Sequence, residues 1–431
     1  MKAKAKEEAK IYFSDFFEVK PNKLDRYGAF NISLLTDMPL FVDPFLLFNS
    51  KKRKYKELHE EIIKYLIFLR DKAVDQGTID KHLIDAWYKF SEVKQNWLGF
   101  TKDGNEGAGL GTGFAKALHD NLGKLFGDFG QEKERITKGS HLEKLCLIKD
   151  RVGRDNISDF TTNLIKRYLL EYTEAFAKKN VSKKYKKRFS VEKVSFNYQT
   201  ETWMVKTYTL PKYFDDYVIL TPKDILTRDD TWINKTDLHK DFADIPQAIP
   251  DGQLRSQVDN YFKGLLPRKR DPEKKEIDAA IVATLQKFPQ LIDYFIKLKE
   301  DRGDKATSIS GEKVKFSERI FISNVCEFLK KIKKEELEKL ENKDSYTEAM
   351  NRVLFFKNKI EFGDCYKLFF AGNKPIKGEK DVQLFFKFVW AGTRFSADAE
   401  VNNGRGPVDL KFPKVPMIVP LLNLNWLAIP T

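Results

Sequence analysis

From about residue 10 to residue 125 the apolar positions recur at the three- and four-residue spacing of a helix face. The stretch "LHEEIIKYLIFLRDKAV" keeps that spacing throughout, and "IDKHLIDAWYKF" resumes it after "DQGT", where Thr78 is placed to cap. "GRDNISDFTTNLIKRYLLEYTEAFAKKN" predicts one long amphipathic helix with Asn156 or Ser158 as its cap. Between Val194 and Thr221 the period changes. β-Branched and aromatic residues crowd "VSFNYQTETWMVKTYTL" and "DYVILTPKDIL", with turn signals between them, and a small β insert is expected. Helical spacing returns from about 240 to 360. There "SERIFISNVCEFLKKIKKEELEKLENKDSYTEAMNRVLFFKNKIE" predicts two helices broken near Asp344 and Ser345. After Glu361 the order is helix, strand, turn, strand. "GEKDVQLFFKFVWAG" is a short amphipathic helix, "SADAEV" alternates as a strand, "NNGRG" is a turn, and "PVDLKF" is a second strand.

These patterns define an α+β chain in four parts. Residues 1–190 form a helical N-terminal domain, 191–235 a small β insert, 236–343 a helical region, and 344–431 a partial α/β core. Hydrophobic residues make up 42% of the chain, with 35 Phe, enough to build a packed core and exclude a disordered class. No apolar run approaches a membrane span, and "MKAKAKEEAKIYFSDFF" lacks the apolar middle of a signal peptide. A cytoplasmic protein without a membrane partner is expected. Three separated cysteines suggest neither a disulfide framework nor a zinc site, and the five scattered histidines read as structural or surface residues.

The net charge of +14 points to a polyanion as partner, against the alternative of a well-solvated lysine-rich surface. Seven of the eleven residues from Lys178 to Arg188 are basic, with Tyr185 among them. Lys183, Lys184, Lys186, Lys187 and Arg188 are candidate phosphate contacts, with Arg405 of the C-terminal turn, and the Tyr185 ring is a candidate base stack. The Gly-rich "NWLGFTKDGNEGAGLGTGFAKALHDNL" lacks the Gly-Lys-Ser/Thr of a phosphate loop and reads as a loop feeding a helix.

The C-terminal pattern carries the candidate chemistry. An acid at the middle of the second strand, Asp409, makes a place for a divalent cation, which takes oxygen ligands and needs only one or two carboxylates, and the preceding helix sets Glu379 and Gln383 one turn apart on one face. "AEVNNGRGPVDLK" resembles the strand–turn–strand core of PD-(D/E)XK phosphodiesterases, the restriction-endonuclease-like nucleases. More narrowly, the chain resembles uncharacterised bacterial proteins with this hairpin after a long helical region. The stretches "YGAFNISLLTDMPLFVDPFLLFNS", "EVKQNWLGF", "HLEKLCLIKDRVGRDNISDFTTNLI" and "LTPKDILTRDDTWIN" resemble that group as well. The resemblance implies a Mg²⁺- or Mn²⁺-dependent nuclease acting on DNA, in defence against foreign DNA, with a homodimer or neighbouring defence proteins as partners. It makes Asp409 the metal acid, Glu379 the first acid and Glu400 a further one.

The same family pattern requires an acid-x-lysine strand after Asp409, and "VPMIVPLLNLNWLAIPT" supplies none. Asp409-Leu410-Lys411 has the right spacing, with Lys411 then the catalytic lysine, but "SADAEV" would then have to provide the earlier acid and "GRGPVD" would be in the wrong register. A shifted reading frame near Lys414 accounts for the departure. With one nucleotide restored, a synonymous coding of this stretch reads K-G-S-N-D-S-T-V-V-E-F-K-L-A. The expectation is a truncated nuclease, inactive as written, with an irregular tail from about 415 that borrows a strand position beside Asp409. The alternative is a non-catalytic nucleic-acid-binding or interaction scaffold.

Overall fold

The computed structural model describes residues 10–76, 80–99, 110–124, 126–131, 135–147, 154–267, 270–331, 336, 339–341, 344–362, 365–371, 374–375, 379–387, 398–402, 407–411 and 421–422. Its helices and small antiparallel sheets give an α+β architecture. Among the described residues, no helix is long and apolar enough to cross a membrane.

α1 (Phe13–Phe16) and α2 (Pro21–Tyr27) open the described chain, and Gly28 closes α2 in the left-handed region at φ 81°. β1 (Phe41–Val42) leads into α3 (Pro44–Phe48), whose cap Asp43 accepts the Phe45 N–H. α4 (Arg53–Gln76) is the long helix the spacing predicts. It buries Leu58, Ile62, Tyr65, Leu66, Leu69 and Ala73 along one stripe. α5 (Lys81–Leu83) is capped by Asp80 and passes into a π-helical turn, Ile84–Tyr88, while Thr78 lies outside the described residues. α6 (Thr112–Lys124) follows, and most of the Gly-rich loop before it lies outside them too.

The long helix expected after Gly153 is two helices, α7 (Arg154–Leu164) and α8 (Lys166–Asn180). They are hinged at Ile165, where ψ reaches 11° and leaves the helical region. Neither Asn156 nor Ser158 caps. Both lie inside α7, and the Ser158 hydroxyl accepts the Val42 N–H at 2.9 Å, fixing α7 to β1.

β2 (Lys186–Asn197), β3 (Thr202–Tyr213) and β4 (Asp216–Tyr217) form an antiparallel sheet in that order. It begins earlier than the β-branched pattern indicates. Lys186, Lys187 and Arg188 pair with Pro211, Leu210 and Thr209, so cross-strand partners make them a strand. Val191, Val194, Tyr208 and Leu210 are buried where the hairpin packs on α8. In "DYVILTPKDIL" only β4 and β5 (Leu226–Thr227) are strand, and β5 pairs with β1.

Helices α9 (Lys235–Lys240), α10 (Gly252–Leu265), α11 (Lys274–Lys287), α12 (Leu291–Asp301) and α13 (Gly303–Glu318) follow. A π-helical turn, Arg319–Asn324, joins α13 to α14 (Val325–Lys331). α15 (Ser345–Glu361) starts where the sequence breaks, with the Asp344 carboxylate accepting the Thr347 N–H at 2.7 Å. β6 (Phe370–Ala371) and β7 (Lys374–Pro375) precede α16 (Glu379–Lys387). The last sheet holds β8 (Asp398–Asn402), β9 (Pro407–Lys411) and β10 (Leu421–Leu422) in the order β10-β9-β8. One buried apolar core runs from Ile11 to Phe386.

Candidate metal face and nucleic-acid interface

β8 and β9 form the expected hairpin. Their antiparallel register pairs Asp398 with Lys411, Ala399 with Leu410, Val401 with Val408 and Asn402 with Pro407, which leaves Glu400 opposite Asp409. With a strand period of two, positions 398, 400, 409 and 411 share one face and positions 399, 401, 408 and 410 the other. The first face thus gathers four charged residues, with the Asn402–Pro407 pair at its end, and the other is apolar. Asp398 was missed by the sequence reading, although the alternation of "SADAEV" carries it two positions before Glu400. The acid-rich face has the hard oxygen donors that Mg²⁺ or Mn²⁺ takes, so the residue types fit the cation. Glu379 is the first residue of α16, so it heads the helix before the hairpin. Arg405 lies outside the described residues. Leu421 and Leu422 pair with Lys411 and Leu410, so β10 does take a strand position beside Asp409, and the rest of 412–431 lies outside the described residues. Among the described side chains, no group of three or more His, Cys, Asp or Glu is placed to hold a metal ion.

α16 is seated on the body by packing and by charge. Phe385 meets Phe328 and Phe369 at ring-centroid distances of 5.3 and 4.7 Å, and Phe386 meets Phe356 at 5.2 Å. Asp381 accepts hydrogen bonds from the Arg228 guanidinium in a buried pair. That guanidinium also lies over the Phe316 and Phe321 rings, at 4.8 and 5.4 Å. Burial pushes the Asp381 carboxyl up against the pull of Arg228. In the adjoining π-helical turn, Phe321 gives its carbonyl to the Tyr12 hydroxyl, and Asn324 donates to the carbonyls of Leu368 and Phe370. The N-terminal body therefore grips the segment that leads to the hairpin.

The basic stretch lies where α8 ends and the sheet begins. Lys183 and Lys184 sit on a single 3₁₀ turn, and Lys186, Lys187 and Arg188 open β2. Lys184 pairs with Glu18 at 3.0 Å, and the Lys186 ammonium donates to the Ala177 carbonyl at 2.9 Å. Among the described residues, the exposed Lys183, Lys187 and Arg188 have no ion-pair partner. Lys20, the cap of α2, and Lys23 within it are exposed, and Tyr27 packs α2 against Phe176 of α8 at 5.0 Å. The nearby acids are engaged: Glu174 by Lys178 and the Thr209 N–H, Asp25 by Lys223. Tyr185 is not the free ring the sequence suggested. It packs edge-on against Phe17 at 6.0 Å, carries the Lys184 ammonium over its face at 4.5 Å, and donates its hydroxyl to Glu18.

The four N-terminal stretches that resemble the bacterial group converge in the interior. Asp43 accepts the Trp232 N–H at 2.7 Å, Met38 donates its N–H to the Trp97 carbonyl, Phe30 donates its N–H to the Thr221 carbonyl, and the Ser158 hydroxyl accepts the Val42 N–H. Beside them lies a buried set of titratable groups. Burial lifts the Asp43 carboxyl to about 6, against the donors Trp232 and Phe45. It lifts Glu143 to about 8, with the Asp43 charge adding to the effect. His141 bonds through Nε2 to Glu300 at 2.8 Å, while burial, and then His141, hold His59 down at about 3. His59, His141, Glu143, Asp43 and Glu300 are all buried.

An α+β body with a charged hairpin face and an exposed lysine strip is the class of protein these features define. A family model described as "Domain of unknown function (DUF8370)" matches residues 18–234, half of the chain, and the chain belongs to that family. A second, "Domain of unknown function (DUF8371)", matches residues 345–415, which include α15, α16, β8 and β9. No curated protein and no solved structure matches.

Proposed function

We propose that this chain binds nucleic acid, DNA foremost, and presents on β8 and β9 a divalent-cation site of the PD-(D/E)XK nuclease kind that is incomplete for cleavage. The observation that carries the reading is the register that brings Asp398, Glu400, Asp409 and Lys411 to one face. On this reading Asp409 and Glu400 hold Mg²⁺ or Mn²⁺, with Glu379 as the further acid. A cation held there supplies charge neutralisation at a phosphodiester. The strand position beside β9 is taken by Leu421–Leu422 in place of an acid-x-lysine strand, so binding without cutting is expected. A role in defence against foreign DNA, as a homodimer or with neighbouring defence proteins, belongs to the same proposal.

Mn²⁺ titration of the whole chain, followed by electron paramagnetic resonance, tests the site. Bound Mn²⁺ should be lost in Asp409→Asn and weakened in Glu400→Gln, and unchanged binding in Asp409→Asn removes the assignment. One observation favours a second reading, an active nuclease: Asp409 and Lys411 themselves have acid-x-lysine spacing on one face. Plasmid nicking in Mg²⁺ that disappears in Lys411→Met would establish that reading in place of the first.

A further inference from the structure

Phe214 is the first residue of the two-residue turn between β3 and β4, inside the pair Tyr213 and Asp216. Its φ is 49°, a conformation open to glycine and avoided by bulky side chains. It is also 76% exposed, leaning edge-on against Tyr213 at 4.7 Å. Neither burial nor turn preference explains a phenylalanine at this position. Glycine or asparagine would suit the turn better.

Its surroundings suggest a use. Tyr213 meets Phe16 of α1 at 5.1 Å, and the next residue, Phe17, meets Tyr185. The turn carrying Phe214 and the turn carrying Lys183 and Lys184 therefore flank the same two neighbouring phenylalanines. Lys212, exposed, stands two positions before Phe214, and Lys186 is paired with Pro211 just behind it. Of the acids at this end, Asp216 receives the Gln95 amide at 3.0 Å and Glu18 is taken by Lys184, while Asp215 is exposed beside Phe214. Basic groups outnumber it.

We infer that Phe214 is a stacking platform for an unpaired base, and that this end of the molecule takes single-stranded nucleic acid. The lysine strip follows the phosphates, and the exposed ring receives a base face. In a duplex those faces are already stacked on one another, so the ring adds affinity only where bases are unpaired. This inference rests on the nucleic-acid part of the proposed function and is independent of the metal face.

The test uses the full chain, a fluorescently labelled oligothymidine and a duplex of equal length, read by anisotropy. Phe214→Ala should weaken oligothymidine binding about ten-fold, leave duplex binding nearly unchanged, and keep the salt dependence of both. Phe214→Trp should restore single-strand affinity. Phe214→Gly should raise the thermal midpoint while weakening single-strand binding, which separates the fold from the site. Wild-type affinity for oligothymidine in Phe214→Ala, or equal losses on both ligands, overturns the inference and leaves the proposed function standing. Loss of a dimer in Phe214→Ala with nucleic-acid binding intact also overturns it and makes the ring a contact between copies. If the wild-type chain binds neither ligand, the nucleic-acid reading falls together with it.

Discussion

Glu143 shows how far a residue's behaviour can depart from its appearance in the sequence. In "HLEKLC" it reads as one more surface acid, since charged residues rarely go fully inside. The fold encloses it beside Asp43, and its proton is held up to about 8. The native state therefore binds the proton more tightly than the unfolded chain does. That stabilisation is complete below the ordinary value of 4.5 and is lost as pH rises to about 8. Glu143→Gln should accordingly stabilise the protein at the alkaline end, by about a few kcal/mol, and hardly at all below the ordinary value. Urea midpoints measured across that window check it. His59 has the opposite sense. Its folded value of about 3 lies below the ordinary 6.5, so its contribution is present above 6.5 and lost as pH falls towards 3. His59→Gln should flatten the acid side of the stability profile, read in the same urea series.

Among elements, the basic strip gives the sharpest division of labour. Lys184 is held by Glu18 and Lys186 by the end of α8, whereas Lys183 and Lys187 pair with no acid among the described residues. Neutralising Lys183 and Lys187 should lower the salt slope of duplex binding by up to about 0.9 for each phosphate they neutralise in the wild-type complex. Neutralising Lys184 and Lys186 should lower the melting temperature more than the slope. Equal slopes in the two double variants would return the strip to a plain solvated surface. What the sequence revealed about such elements was what a short window contains. The stripe of α4, the Asp344 cap of α15 and the pairing of β8 with β9 are all set by neighbours close in the chain. The early start of β2 and the occupied ring of Tyr185 are set by Leu210 and Phe17, which no window includes. The charged face of the hairpin was half legible: the sequence pattern picks out Asp409 and Glu400, and Asp398 joins them only with the register.

At the scale of the molecule, Arg228 and Asp381 join the two family-matched segments through one buried ion pair. Removing one partner leaves a charge in the core. Asp381→Ala should cost about 3–5 kcal/mol, while Arg228→Met with Asp381→Leu should recover most of it, because an apolar pair replaces a buried ionic one at little cost. Guanidinium denaturation of the three proteins measures both figures, and a double variant as weak as the single one would show that the pair also organises α16. The shared core that surrounds this pair has a consequence for how such genes can be rearranged. A recombination that exchanges the segment carrying α16 for that of a relative would succeed only where the two positions still match, arginine with aspartate or apolar with apolar. A chimera that inherits one of them alone carries an unanswered charge into its interior, and the two halves of the gene should therefore travel through descent as a single unit.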